Sequence, residues 1–227
     1  MGLVENKELN MHYIYPSLMG ADLDHLDEVI KQFNPHMHKG FHIDVMDGKF
    51  VPRALFHPED VNAISQASTH PCWVHLMVQQ PEKWVNYLNL MPGSIVSFHH
   101  EAIGASNSLI DTIHGNNWKA SVAINPETNI EHIFPILENI EQVLLMSVEP
   151  GLAGQEFLKP VADKITPLAA YRNTNKLSFR IGIDGGINAD NIVMLAQKGA
   201  DDFAVASAIF DAQNPIAAFE ALQKLIA

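Results

Sequence analysis

Histidines and aspartates stand at the ends of short apolar runs in this chain, at spacings that suit metal binding and proton transfer. In His42-Ile43-Asp44-Val45-Met46-Asp47-Gly48, the alternation of side chains along a strand puts His42, Asp44 and Met46 on one face. His75-Leu76-Met77 repeats the step from His to Met, and Asp184-Gly185-Gly186 ends a third run with glycines that let a backbone approach a ligand closely. An inward carboxylate is costly unless something binds it. Two imidazoles and two carboxylates form a mixed nitrogen and oxygen donor set, suited to zinc, manganese, iron or cobalt rather than to a thiolate site. Any one of the 12 histidines is more often an ordinary hydrogen-bonded residue. The joint placement at three run ends carries the reading.

A second constellation suits an anion. Met146-Ser147-Val148-Glu149-Pro150-Gly151-Leu152-Ala153-Gly154-Gln155 follows another apolar run and precedes a predicted helix. Small residues there expose backbone N–H groups that bind phosphate without side-chain charge. Taken alone, the Pro-Gly-Leu-Ala-Gly stretch reads equally as a turn. Asp184-Gly185-Gly186-Ile187-Asn188 and Ala206-Ser207 supply further small residues at two later run ends. Met46, Met77 and Met146 come near run ends as polarizable floor residues or as plain core. Ser17 reads either as a donor to a substrate hydroxyl or as a helix cap. Phe98-His99-His100-Glu101 reaches the same rim and receives no chemical role.

Positioning these groups requires a scaffold with many parallel strand ends on one side. Apolar, β-branched segments at 12–18, 40–46, 72–77, 94–98, 118–124, 142–147, 179–184 and 202–206 alternate with segments of helical period, the pattern of βα units. Residues 22–33 place Leu23, Leu26, Val29, Ile30 and Phe33 at helical spacing, and a last helix is predicted over 214–226. Eight such units, one helix after each strand, predict a TIM (β/α)8 barrel, whose chemistry sits at the C-terminal strand ends. A doubly wound sheet is disfavoured because no Gly-x-Gly-x-x-Gly follows the first strand. Pro135 predicts a kink or split in the helical segment after the fifth strand.

Length and charge bound the partners. The 227 residues predict one barrel domain over 12–227 behind a lead-in at 1–11. With 14 basic against 26 acidic residues the net charge is −12, which argues against non-specific attachment to nucleic acid or an anionic membrane surface. Cys72 is the one cysteine, so no intrachain disulfide forms and a reducing, cytoplasmic location is expected. No apolar run reaches membrane-span length, and the first residues lack the pattern of a signal peptide.

The motifs PSLMGADL, HIDVMDGKFVP, HLMV, MSVEPGLAGQ, IDGGIN and ASAIF, in this order from about residue 12 to the C-terminus, resemble the ribulose-phosphate 3-epimerase family. The resemblance implies a TIM barrel that interconverts D-ribulose 5-phosphate and D-xylulose 5-phosphate in the pentose phosphate pathway with one divalent metal. It implies His42, Asp44, His75 and Asp184 as ligands, with Asp44 and Asp184 also as the acid/base pair. Ser17, His42 and His75 would touch the sugar. Gly151, Leu152, Ala153, Gly154, Asp184, Gly185, Gly186, Ala206 and Ser207 would meet the phosphate and the rest of the substrate. Inversion at C3 needs one group on each face of a cis-enediolate that a metal stabilises. Self-association is expected, as barrels of this kind commonly associate.

The chain departs from the usual family pattern at Ala206 (commonly Gly), in Gly-Leu-Ala-Gly (commonly Gly-Phe-Gly-Gly), at Arg53 (commonly Asn) and at His57, near a customary Gly. These changes bear on substrate preference and turnover and leave the four ligand positions intact. The alternatives are an epimerase for a related ketose phosphate such as D-allulose 6-phosphate, and a non-catalytic sugar-phosphate-binding barrel. A phosphate-binding barrel decarboxylase is disfavoured because its Asp-x-Lys-x-x-Asp pattern is absent from the third strand.

Overall fold

The computed structural model describes residues 11–37, 39–104, 106–152 and 154–227. The expected lead-in, apart from Met11, lies outside the described residues, as does Ala153. The strands are β1 (Tyr13–Pro16), β2 (His42–Asp47), β3 (Ala54–Leu55), β4 (Trp73–Met77), β5 (Ile95–His99), β6 (Lys119–Ile124), β7 (Gln142–Met146), β8 (Arg180–Asp184) and β9 (Asp202–Val205). They run β1-β9-β8-β7-β6-β5-β4-β2-β3 around one sheet. A parallel bridge from Ser17 to His42 joins the end of β1 to β2 and closes the circle. Apart from β3, every strand pairs parallel with its neighbours. The fold is a TIM barrel, as the sequence pattern predicts.

Alternation on the strands divides the core in two. One set of residues, including Ile43, Val74, Val96, Val122, Leu145, Ile183 and Phe203, packs outward beneath the helices. The other set faces the barrel axis, where Tyr15, Trp73, Ile95, Ala123, Leu144, Met146 and Ala204 form a separate inner cluster. Gly182 makes room for this layer: a Cβ there would lie 2.6 Å from the Trp73 ring. The indole is further pinned by its Nε1–H, which donates to Ser97 Oγ at 2.7 Å.

The helices are α1 (Leu26–Phe33), α2 (Pro58–Ala67), α3 (Pro81–Val85), α4 (His100–Ile103), α5 (Asn107–Gly115), α6 (Lys159–Thr174), α7 (Ile192–Lys198), α8 (Ser207–Phe210) and α9 (Pro215–Leu225). The expectation of one helix per strand needs correction at several places. A hairpin onto β3 comes between β2 and α2, and two helices follow β5. The helix expected from residue 22 begins at Leu26, because Asp22 caps a 3-10 turn at Leu23–His25 by accepting from Asp24 N–H. Around Pro135 the chain runs as a 3-10 stretch, Ile130–Asn139, in keeping with a residue that would interrupt a continuous α-helix. α9 agrees with expectation: Asn214 accepts from Ala217 N–H at 3.1 Å, and Pro215 occupies the first turn. Among the described residues no helix is long and apolar enough to cross a membrane.

Candidate active site

β2, β4 and β8 deliver His42, Asp44, His75 and Asp184 to one point inside the C-terminal mouth of the barrel. Register explains the meeting: Asp44 pairs with His75 across β2 and β4, and Asp184 ends β8. His42 Nε2 lies 3.1 Å from Asp44 Oδ1 and 3.5 Å from Asp184 Oδ2. His75 Nδ1 lies 3.1 and 3.4 Å from the same two oxygens. One donor atom from each residue therefore falls within 4.8 Å of all the others, and all four residues are buried.

Surrounding contacts aim these groups. Asp44 Oδ2 accepts from Ser17 Oγ at 2.8 Å, so Ser17 orients a carboxylate rather than capping a helix. The His42 ring stands edge-on to Trp73 at 4.6 Å and 89°, and its Nδ1 is buried with no hydrogen-bond partner among the described residues. Ser147 Oγ donates to the carbonyls of Asp184 at 2.9 Å and Gly185 at 2.6 Å, which ties the end of β8 to that of β7.

Burial and charge shape the ionisation. Burial disfavours the Asp44 carboxylate, yet the adjacent imidazoles, His42 foremost, hold it well below the usual range. Burial and the Asp44 charge both oppose ionisation of Asp184, and His42 and His75 still bring it below its ordinary value. Burial would lower the His42 imidazole, but the two carboxylates push it up to about 10. His75 is raised for the same reason. Two carboxylates and two imidazoles converging in a dry site form a cluster whose charge balance depends on protons or a bound cation.

Sequence spacing does not single out His99, which the structure places directly behind His75, with the two Nε2 atoms 2.9 Å apart. His99 Nδ1 faces Glu101 Oε2 at 3.1 Å. Burial draws the His99 imidazole down to about 4. The signal is present as His-x-Glu at a strand end, but its partner is set by the pairing of β4 with β5 and not by spacing along the chain.

The small-residue segments lie beside the cluster. Gly151, Leu152, Gly154, Gly185, Gly186, Ala206 and Ser207 line one pocket together with Asp44 and Asp184, and a second pocket over Gly154, Gly186 and Ser207 adjoins it. Met19, Met77 and Met146 line the first pocket as well. Gly185 and Gly186 have φ of +117° and +63°, and a Cβ at 186 would lie 2.5 Å from Phe157 N. Both conformation and space therefore demand glycine there. The sequence pattern predicts that the loop runs straight into a helix, and here the structure differs. Gln155 Nε2 fastens it by donating to the carbonyls of Glu149 and Leu152, and α6 waits until Lys159, where Pro160 fits the first turn.

Residues 13–210 match the Ribulose-phosphate 3 epimerase family. The chain belongs to this family. Family relatives include the ribulose-phosphate 3-epimerase of Mycobacterium leprae, 34% identical over 212 residues and 93% of each chain. That of Methanocaldococcus jannaschii is 35% identical over 216 residues and 92% of each chain. Among solved structures, KGPDC from Streptococcus mutans superposes with a TM-score of 0.66 at 14% identity, over 95% of this chain and 97% of that one. At that identity the likeness speaks for the barrel alone.

Proposed function

We propose that this chain is a metal-dependent ribulose-phosphate 3-epimerase, an isomerase that interconverts D-ribulose 5-phosphate and D-xylulose 5-phosphate in the pentose phosphate pathway. The observation that carries the reading is the convergence of Asp44 and Asp184 on one pocket from β2 and β8, in a chain whose family match spans 13–210. Two carboxylates delivered from different strands can serve the two faces of a planar enediolate, and epimerisation demands one on each.

The residues present fit a divalent cation. Their four donor atoms converge, and the ion pairs of Asp44 and Asp184 among the described residues are with imidazoles alone. His42 Nε2, Asp44 Oδ1, His75 Nδ1 and Asp184 Oδ2 would hold it, and nitrogen with carboxylate oxygen suits zinc, iron, manganese or cobalt. Such an ion would supply positive charge where the enediolate oxygens develop negative charge. Asp44 accepts the C3 proton on one face, with Ser17 fixing its Oδ2. Asp184 returns a proton on the other face, and the roles exchange in reverse. Ser17, His42 and His75 touch the sugar. Backbone N–H groups of Gly151, Leu152, Ala153, Gly154, Gly185, Gly186, Ala206 and Ser207 hold the phosphate end. These local donors explain how a chain of net charge −12 captures an anion. A single barrel domain over 12–227, self-association and a cytoplasmic location belong to the same reading.

Metal analysis paired with an epimerisation assay tests it. Activity on ribulose 5-phosphate should disappear on chelation and return with a divalent ion. Full activity in demonstrably metal-free protein would overturn the metal role. A clear preference for a six-carbon ketose phosphate would overturn the substrate.

A further inference from the structure

His75 and His42 both turn one nitrogen toward Asp44 and Asp184, but among the described residues only His75 has a partner behind it. Its Nε2 meets His99 Nε2 at 2.9 Å, whereas His42 Nδ1 has none among the described residues. Behind His99 stands Glu101, whose Oε2 faces His99 Nδ1 at 3.1 Å. Glu101 Oε1 is held by donors of its own, Asn125 N–H at 2.8 Å and the Thr128 hydroxyl. The proton positions along this line follow from counting. A carboxylate oxygen offers only lone pairs, so His99 Nδ1 must carry hydrogen. His99 is fully buried and packed between His75 and Phe50 at ring distances of 5.1 and 4.7 Å. A second proton would place a cation in that sandwich, so His99 Nε2 is a bare acceptor. The proton shared between the two Nε2 atoms then belongs to His75.

We infer that Glu101 and His99 are positioning residues for His75, fixing a proton on its Nε2 so that Nδ1 is the nitrogen left to bind a cation held between it, Asp44 and Asp184. The inference rests on the proposed role of His75 as a metal ligand. An imidazole binds metal only through an unprotonated nitrogen, and the partner of its other nitrogen decides which one that is.

Glu101→Gln tests this with almost no change of shape. Asn125 N–H and the Thr128 hydroxyl keep the Oε1 position an acceptor, so the new NH2 must take the Oε2 position and face His99 Nδ1 as a donor. The proton order then reverses along the line and ends with hydrogen on His75 Nδ1. Zinc affinity of the full-length protein, measured by competition with a chromophoric chelator, should fall about 10–100-fold, the usual reach of such outer partners. The metal-free variant should unfold at nearly the wild-type temperature. In zinc-loaded wild type, long-range proton–nitrogen correlation spectra should show His99 with its proton on Nδ1, a signature that a merely structural role would not require. A His99 proton on Nε2, or a Glu101→Gln protein that binds zinc as tightly as wild type, would overturn the inference. Should Glu101→Gln not fold, the wild-type spectrum decides alone. His75→Asn separates the two levels. If it leaves zinc binding intact, the ligand reading fails; if it abolishes binding while Glu101→Gln does not, only the positioning role fails.

Discussion

At the N-terminal end of the barrel, Arg180 grips Asp202 through Nε at 2.9 Å and Nη2 at 2.6 Å, while at the C-terminal end Asp44 and Asp184 face imidazoles. Both clusters are built on buried carboxylates. The lower one is completed by Gln142 Nε2, which donates to Asp202 Oδ2 at 2.9 Å, and by Ser121 Oγ, which donates to Gln142 Oε1 at 3.0 Å. A guanidinium stays charged at any ordinary pH, so this cluster is balanced by the chain itself. The upper cluster draws its positive charge from groups that gain and lose protons, or from an ion that arrives from outside. Permanent balance suits a structural role, and exchangeable balance suits chemistry.

The most forceful way to break this contrast is to neutralise one carboxylate at the mouth. Asp44→Asn or Asp184→Asn should lower the exchange of solvent deuterium into substrate C3 by roughly 10²–10⁴-fold, the range for removing a general acid or base, with the folded state retained. Near wild-type exchange in either variant would defeat the two-carboxylate assignment. The corresponding change at the other end is Arg180→Met, which leaves Asp202 buried against Gln142 without its cation. Breaking a buried pair in this way costs about 3–5 kcal/mol. It should appear as a lowered denaturant midpoint with kcat per folded molecule unchanged. A large fall in kcat at full stability would erase the distinction between the two ends.

The two ends also differ in how much of them is legible in the sequence. Asp44 and Asp184 stand out because one interrupts an apolar run and the other closes one, where a charged residue needs a reason. The Val, Ile and Leu of β2, β7 and β8 likewise announce strands. Arg180 and Asp202 sit instead at run starts, where charge is ordinary and draws no attention. Their pairing comes from the neighbouring register of β8 and β9, which joins Gly182 to Asp202. His99 is hidden for the same reason. His-His-Glu reads as a polar rim until β4 and β5 are laid side by side. The small β3 hairpin cannot be read from the sequence because two paired residues leave no periodicity to detect.

Between the two clusters lies the Trp73 layer, and Gly182→Ala probes whether the ends are independent. The added methyl would stand 2.6 Å from the indole, and the indole cannot swing freely while Nε1 is bonded to Ser97. Overpacking of this kind costs about 1–3 kcal/mol. Trp73 also touches the His42 ring, so metal affinity should weaken with the stability. A stability loss with unchanged metal affinity would instead make the layer an insulator between the clusters.

The rim supplies a third kind of carboxylate, one balanced by neither a guanidinium nor an exchangeable ion. Asp47 Oδ1 accepts from Lys49 N–H and Phe50 N–H at 2.8 Å each, and Oδ2 accepts from Gln79 N–H at 2.9 Å. Burial opposes its ionisation, but these three N–H groups, Gln79 first, hold the carboxyl below its ordinary value. A depressed carboxyl contributes stability that is complete above its unfolded value, about 3.9, and that fades as pH falls through the lower native value. Asp47→Asn should therefore cost at neutral pH about what one hydrogen bond contributes, roughly 1 kcal/mol or less, since its NH2 would confront Gln79 N–H. In acid the wild-type carboxyl gains a proton and loses the same advantage, so the two denaturation curves should converge as pH drops below about 3.9. A gap that persists in acid would mean that the loop is held by shape and not by the charge of Asp47. The loop bearing Phe50, which packs on His99 at 4.7 Å, would then be tied to the mouth by packing alone.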